Sequence, residues 1–545
     1  MEVHQQLSQR RRFRLATGLL AAAAAGALML SGCTVSKQGT GTGDAAKPAV
    51  LSVAASAAVT TWDPVRSFST EALYMGNIYE TLLKKNPEGA AEEFTPVLAE
   101  SWDHSEDGKT WTFHLRTDAT FHNGTPVNAD AVKQSIEAAK AYGGASFIWA
   151  PLESIDTPDE HTVVMNLSYS APADIIAAAT YGAWIVEPSA LKASKDDENY
   201  FTTGTDGLPI DAGSGPYTLD AYTPGSKVVL TAAKDYWNKD GASHYTTVDV
   251  AITPDAVTAQ QMLTAGDVDL ATSLPAENVQ DVAKQVGGEV RKANSPFNYL
   301  AYFNTTKAPL NDVKVRQALS YAIPYQDLIE AGAYSYATQS RGPVPKGIYP
   351  YSEDVPQYSY DLDKAKQLLK ESGHADGLKL TLTYASENPS EARFVPLIKD
   401  AFAKIGVDLT VRAELFNQQW EEAKSNPKKA QDIFVVYYWP TYSDAGVDNL
   451  TSLFGYTEKP FFNLSYWKND EYNKLLAEAA PLTGSDRPAA QAKYVEAMKL
   501  LVDQAPGAFL YDPEAIMVVP KNLEVGEFNE NYPFTTFFAS ISPKA

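Results

Sequence analysis

The sequence of 545 residues contains a single cysteine, Cys33. One cysteine cannot form an intramolecular disulfide, and it cannot supply a zinc site that is built from several cysteines. Beyond residue 33 the chain also lacks any run of 18 consecutive apolar residues, the length that indicates a membrane-spanning helix. We therefore expect the remainder of the chain to be soluble.

Motifs that indicate an enzyme are missing as well. There is no G-x-x-x-x-G-K-[ST] phosphate loop and no G-x-S-x-G nucleophile elbow, and "AGSGPY" at 212–217 resembles a turn more than an elbow. Only seven histidines are present, and no two of them have the i, i+4 spacing of a helical metal site. The sequence therefore predicts no enzyme activity, no metal and no cofactor.

Positive charge is scarce. The chain has 45 Lys and Arg against 67 Asp and Glu, a net charge of −22. Removing residues 1–32 takes away four Arg and one Glu, and 41 − 66 leaves −25. Such a surface argues against a nucleic-acid partner, whose phosphates attract Lys and Arg. About 510 residues are too many for one core, so two or more lobes are expected.

The N-terminal segment explains the lone cysteine. A basic patch that includes Arg10 and Arg14 precedes an apolar run of 16 residues, Leu15–Leu30, which is too short to span a bilayer but suits a signal peptide. Leu30-Ser31-Gly32-Cys33 resembles a bacterial lipobox, which implies cleavage before Cys33 and its acylation. An ordinary secretory signal with an incidental cysteine is the alternative. We predict a lipoprotein signal peptide at 1–32 and a flexible, polar tether at 33–48.

Helical and strand patterns alternate along the rest of the chain. Asn128 and Asp361 (or Asp363) are predicted helix caps, the first for a helix that ends at Gly143-Gly144. A further helix is predicted around Phe394 and Ile398, ending at Gly406, and an alternating strand follows it at 407–414. Two hairpins are predicted, with turns at Asp107-Gly108 and Pro158-Asp159. The fold class is α/β.

Several stretches together resemble the bacterial extracellular solute-binding proteins of family 5, the peptide- and nickel-binding lipoproteins of ABC importers. The most specific is "FTPVLAESWDHSEDGKTWTFHLRTDATFHNGTPVNADAVKQSIEAA" at 94–139. The others follow in the family's order: "AGSGPYTLDAYTPGSKVVLTAAKDYW" (212–237), "FNYLAYFNTTKAPLNDVKVRQALSYAI" (297–323), "YDLDKAKQLLKESGH" (360–374) and "APGAFLYDPEAIMVV" (505–519). The resemblance covers nearly the whole chain after Cys33.

The resemblance implies a two-lobed periplasmic-binding-protein fold (type II, cluster C-like) with an extra subdomain in lobe one and a hinge of crossing strands. Lobe one is predicted at 49–90, 186–293 and 505–545, the extra subdomain at 91–185, and lobe two at 294–504. Closure of the lobes around a solute would signal loading to the permease. The implied partners are ABC permease and ATPase subunits and the membrane, through lipid on Cys33. We expect an extracytoplasmic monomer.

The resemblance also locates a binding loop, where peptide-binding members have W-x-A-D-Y-x-[DE]-P and the first aspartate holds the peptide's α-ammonium. In "FVVYYWPTYSDAGVDNLTSLFG" (434–455), Trp439 matches the tryptophan, but Tyr442 occupies the place of that aspartate, and the family's proline is missing. Asp444 is the nearest acid that could replace it, and Asp448 is the next. Asp444 could equally be a solvated loop residue or a cap for a helix that starts at Gly446.

Further ligand contacts are suggested by position. Tyr437 and Tyr438 precede Trp439 and are equally compatible with a core strand. Phe68 and Ser69 lie in a segment that resembles the family's first strand-to-helix turn, and Phe297 and Asn298 in one that resembles its hinge-proximal segment.

The leading functional hypothesis is an importer receptor for peptides or peptide-like amines. One alternative keeps the fold and binds an oligosaccharide or a metal–chelator complex. Another is a role outside transport on the same scaffold, such as an enzyme, a sensor or a chaperone.

Overall fold

The structure is a computed structural model that describes residues 50–204, 207–239, 241, 243–458, 462–526 and 528–544. They all belong to one compact unit that runs from Lys47 to Ala545. The predicted signal peptide, Cys33 and the predicted tether lie outside the described residues. In the described part of the chain, no helix is both long enough and apolar enough to cross a bilayer.

The first lobe is built on a mixed five-stranded sheet. The strand Val50–Ala55 runs parallel to both of its neighbours, and the remaining pairs are antiparallel. The strand order is Leu270–Ala271, Val50–Ala55, Thr247–Ile252, Lys227–Ala232 and Tyr217–Thr223. The helices of this lobe are Ala72–Ile78, Pro188–Asp196, Ala256–Ala265 and Val279–Gln285.

A four-stranded antiparallel sheet forms the extra subdomain, in the order Ala99–His104, Thr110–Leu115, Thr162–Leu167 and Leu152–Asp159. Helices Ala129–Tyr142 and Ala173–Ala177 belong to the same part of the chain. The predicted hairpin turn at Asp107-Gly108 is confirmed. The second hairpin is confirmed, but its turn at Pro158-Asp159 is wrong: Asp159 pairs with Thr162, so the turn lies at 160–161.

The second lobe contains a mixed six-stranded sheet, in the order Ala337–Gln339, Gly507–Pro513, Asn298–Phe303, Ile433–Tyr438, Leu378–Ala385 and Val407–Glu414. Its central strand, Asn298–Phe303, is buried along its whole length because both faces of the sheet are covered. The covering helices are Val313–Tyr321, Tyr325–Ala333, Leu362–Glu371, Pro389–Ala403, Phe416–Ser425, Asp470–Ala479 and Arg487–Gln504, with a π-helix at Gly446–Ser452.

A short antiparallel ribbon joins the two lobes. Strand Glu289–Ala293 pairs with Ala515–Val519 along its full length. The chain enters the second lobe directly after the first of these strands and leaves it directly before the second. We call this pair the hinge ribbon.

One predicted lobe boundary differs from the strand pairing. The range 505–545 was expected in lobe one, but Gly507–Pro513 pairs with Asn298–Phe303 inside the second lobe's sheet. The reason is a break at Glu514, which divides "GAFLYDPEAIMVV" into a second-lobe strand and a hinge strand. At this break the Glu514 N–H donates to the Tyr336 carbonyl. The other boundaries stay predictions.

The structure confirms the helix caps, the strand and the helix that were predicted from local sequence signals. The Asn128 and Asp361 side chains accept the N–H groups of Ala131 and Lys364 at the starts of their helices. The strand at 407–414 is confirmed. The helix around Phe394 is confirmed as Pro389–Ala403, and it ends three residues before Gly406.

Candidate functional site: the cleft between the lobes

Three cavities lie along the junction of the lobes. The hinge cavity, of 1030 Å³, is lined by the hinge ribbon, by residues after the strand Val50–Ala55 and by the C-terminal segment, which is described at 524–526 and 528–540. The front cavity, of 470 Å³, lies between 85–93 of the first lobe and 347–351 of the second. A narrow gap between them is lined by Thr180, Tyr181 and 439–443. The hinge cavity is at the upper end of the size range of small-molecule sites.

An aromatic group lies where the second lobe meets the C-terminal segment. Phe297 stacks on Tyr437, with ring centroids 5.1 Å apart, and its centroid lies 5.8 Å from that of Trp439. Phe534, from the C-terminal segment, contacts both Phe297 and Trp439 and also lines the hinge cavity. Trp439 keeps 38% of its surface exposed. Three predicted contacts therefore come together here, and Trp439 has an accessible face for a solute.

Tyr438 points to the opposite face of its strand, as the two-residue period of a strand requires. Its hydroxyl donates to Asp448 Oδ1 at 2.8 Å, and Asp448 Oδ2 accepts the Thr441 N–H. Burial raises the pKa of Asp448, although these hydrogen bonds act to lower it. Because both of its carboxylate oxygens are occupied within the loop, Asp448 holds the loop in shape.

Asp444 is fully buried at the start of the π-helix. Its Oδ1 accepts the N–H groups of Gly446 at 2.9 Å and Val447 at 3.3 Å, the arrangement expected for the cap alternative. Among the described residues, Oδ2 has no hydrogen-bond partner, and burial raises the pKa of Asp444 to about 6. Asp444 does not line any of the three cavities.

Tyr442 lies between the lobes. It belongs to the second lobe's loop, yet it packs into the hydrophobic cluster of the first lobe and lines the narrow gap, with 9% of its surface exposed. Burial raises the pKa of its hydroxyl far above the usual range, so the group stays neutral. Tyr442, which the sequence resemblance places where peptide-binding members have an aspartate, therefore contributes apolar contact across the junction.

The remaining predicted contacts are placed elsewhere. Phe68 is about half exposed and packs on Phe147 and Tyr181, while the Ser69 carbonyl accepts the Tyr181 hydroxyl at 3.0 Å. Asn298 is buried, and its side-chain amide donates to the Pro343 carbonyl at 2.7 Å. None of the three lines the three cavities.

Acidic side chains outnumber basic ones on the cavity walls. The hinge cavity has Glu88, Glu514, Glu524 and Glu530 against Arg291 and Lys292, and 2 − 4 gives −2. Lys292 pairs with Glu514, and Arg291 contacts Glu524. The front cavity adds Glu92 and Glu93 with Lys85 as its only base, and Lys85 pairs with Glu93. Such walls favour a solute with positive charge.

Sequence reasoning missed the C-terminal segment as part of the site. Residues 528–534, "FNENYPF", place Glu530 among aromatic residues, a composition that could have indicated a binding segment. It also missed the contacts that hold the lobes together. Arg487 of the second lobe pairs with Glu93 at 2.9 Å and with Asp174 at 2.5 Å, both in the first lobe.

The serine of the "AGSGPY" turn does not serve as a nucleophile in this arrangement. Ser214 is 1% exposed, and its hydroxyl donates to Glu80 Oε2 at 2.8 Å. A Cβ at Gly213 would lie 2.0 Å from the Ile78 carbonyl oxygen. The glycines of this stretch therefore serve close backbone packing, as the interpretation of the stretch as a turn predicts.

Comparison with known proteins identifies the family. The model for "Bacterial extracellular solute-binding proteins, family 5 Middle" matches residues 93–459. The probable D,D-dipeptide-binding periplasmic protein DdpA of Escherichia coli K12 is 28% identical over 83% of this chain and 86% of its own. Heme-binding protein A of Haemophilus influenzae is 30% identical over 76% of this chain and 78% of its own. The relatives are substrate-binding proteins rather than enzymes.

A solved structure shows the same fold. The ABC transporter substrate-binding protein CtaP of Listeria monocytogenes superposes with a TM-score of 0.80, covers 91% of this chain and 100% of its own, and is 22% identical. The two-lobed α/β architecture implied by the sequence resemblance is confirmed.

Proposed function

Because this chain belongs to the bacterial extracellular solute-binding proteins of family 5, we propose that it is an ABC-importer receptor for peptides or peptide-like solutes carrying an amine. The observation that carries the proposal is a pair of acidic cavities: the hinge cavity of 1030 Å³ lies against the two-stranded ribbon that joins the lobes, and the front cavity of 470 Å³ lies between the lobes. The front cavity has walls on both lobes, so a solute that reaches into it couples binding to lobe closure, which is what a permease has to recognise.

The walls favour an amine-bearing solute over the alternatives. An oligosaccharide could stack on Trp439, but a neutral sugar would leave the excess negative charge of the cavities without a partner. Heme, the solute named for the Haemophilus influenzae relative, carries two carboxylates, which the acidic walls would repel. No histidine lines the three cavities, so among the described residues they offer no imidazole ligand for a metal.

Native mass spectrometry of freshly purified protein tests the proposal. We expect a retained solute at one per chain, released on denaturation, with the mass and fragmentation of a peptide or peptide-like amine. Incubation should leave that solute chemically unchanged. Turnover of the solute would contradict a receptor, and a retained sugar or metal chelate would replace the peptide class while leaving the transport role intact.

We also propose that the receptor is tethered outside the cytoplasm by lipid on Cys33. The support is the sequence Leu30-Ser31-Gly32-Cys33 after an apolar run of signal-peptide length, followed by a polar, flexible segment. A diacylglyceryl group supplies the two acyl chains that stable anchoring needs.

Replacing Cys33 by alanine should therefore release the protein from the membrane or block its maturation, while the fold of the mature part is unchanged. Fractionation of cells, followed by blotting of the membrane and soluble fractions, measures this. A Cys33→Ala variant that fractionates with membranes as completely as the wild type would show that the lipobox interpretation is wrong.

A further inference from the structure

Glu530 is the side chain that all three cavities share. It lies in the C-terminal segment, at the point where the hinge cavity, the narrow gap and the front cavity meet. Only 3% of its surface is exposed, so the carboxyl group is almost completely removed from bulk water. A solute that extends from one cavity into another has to pass this residue.

The backbone that carries Glu530 is fixed to the first lobe. Asn529 Nδ2 donates to the Lys85 carbonyl at 2.7 Å, and Asn531 Nδ2 donates to the Asn86 carbonyl at 3.0 Å. The Glu530 carboxylate itself accepts the Glu88 N–H through Oε1 at 2.5 Å. These bonds on both sides place the carboxylate before any solute arrives, which reduces the entropy lost on binding.

Among the described residues, no basic side chain lies within ion-pair distance of this carboxylate, and the charge of Lys85, which pairs with Glu93, acts on it only from farther away. Burial raises the pKa of Glu530. Among the described residues, no other residue donates a hydrogen bond to Glu530 Oε2, and Glu530 forms no ion pair. The other cavity acids differ: Glu514, Glu524 and Glu93 contact Lys or Arg, Glu88 Oε2 accepts the Asn294 amide, and Glu92 is exposed to solvent. Burying a carboxylate without a counter-charge costs desolvation free energy, and the attraction to a cation that binds beside it offsets that cost.

We propose that Glu530 is the counter-charge that selects solutes with a cationic nitrogen, such as the α-ammonium of a peptide, and that this nitrogen binds where the three cavities meet. The inference rests on the proposed receptor function and specifies its solute class. It assigns to the C-terminal segment the recognition that the sequence suggested for Asp444, whose Oδ1 caps the π-helix and which lines none of the three cavities.

Two pools of synthetic random tripeptides test this inference, one with free N-terminal amines and one N-acetylated. Each pool is incubated with wild type and variants, and bound peptides are quantified by native mass spectrometry. Wild type should prefer the free-amine pool by about a hundredfold or more, and Glu530→Gln should reduce this preference below about tenfold. Glu530→Asp keeps the charge and should keep most of the preference, which separates loss of charge from misfolding.

Glu371→Gln is the matched control, because it removes one exposed negative charge that pairs with Lys314 on the second lobe, away from the cavities. It should bind both pools as wild type does. The inference is overturned if Glu530→Gln retains the wild-type preference, or if Asp444→Asn abolishes that preference while Glu530→Gln does not. Equal binding of both pools by wild type would overturn it while leaving a peptide receptor intact. Binding of neither pool would overturn the peptide function together with the inference.

Discussion

Replacing Arg487 by methionine is expected to separate the two lobes in the solute-free protein and to weaken solute binding by a factor of about 10 to 1000. Arg487 is the first residue of the helix Arg487–Gln504 in the second lobe, and both of its acidic partners belong to the first lobe. These ion pairs exist only while the lobes are in contact. They therefore stabilise the closed arrangement against the open one.

The size of the effect follows from burial. Asp174 is 7% exposed and Glu93 is about half exposed, so the Asp174 pair dominates. Removing one partner of a buried pair costs about 3–5 kcal/mol when the remaining charge stays buried. Here the Asp174 carboxylate becomes hydrated once the lobes part, so part of that cost is avoided. We therefore expect binding to lose about 1.5–4 kcal/mol of free energy, which corresponds to the factor of about 10 to 1000 in affinity.

Small-angle scattering of the solute-free protein and calorimetric titration with its co-purified solute measure the two consequences. Arg412→Met is the control, because Arg412 pairs with Glu414 and Glu422 within the second lobe only. It should change neither the radius of gyration nor the affinity. If Arg487→Met has the scattering profile of wild type and binds within twofold of it, the ion pairs do not control closure.

The part of the fold that could be predicted from sequence is the part with local signals. Asn128 and Asp361 cap helices through N–H groups three residues away, so a short stretch of sequence is enough to predict their role. The strand at 407–414 alternates apolar and polar residues and was predicted for the same reason. The division of 507–519 into a second-lobe strand and a hinge strand depends on distant partners, and it was missed.

The site was predicted less completely because its key residues are far apart in sequence. Arg487 is 313 positions from Asp174 and 394 from Glu93, and Glu530 is 442 from Glu88. No spacing rule links such residues. Asp444 shows a different limit: an acid two residues before a glycine is compatible with a helix cap and with a ligand contact, and only its hydrogen bonds to Gly446 and Val447 distinguish the two.

Two glycines let the lobes approach each other beside Arg487. A Cβ at Gly484, in the second lobe, would lie 2.4 Å from the Ala171 carbonyl oxygen and 2.7 Å from the Ala171 nitrogen. A Cβ at Gly108, on the first hairpin, would lie 2.7 Å from the Gly484 carbonyl oxygen. Because these neighbours are backbone atoms, no side-chain rotation can relieve the overlap.

We therefore expect Gly484→Ala to weaken solute binding by about 5- to 100-fold, because adding a methyl group to a packed contact costs about 1–3 kcal/mol. The solute-free protein can avoid this cost by a small opening at the hinge ribbon, so its melting temperature should not change. Calorimetry with the co-purified solute and a thermal melt of the solute-free protein measure both. Unchanged affinity would contradict the prediction, and a lowered melting temperature would show that the contact stabilises a lobe rather than closure. The double variant with Arg487→Met should lose less affinity than the sum of the single losses, because both substitutions act on the same closing step.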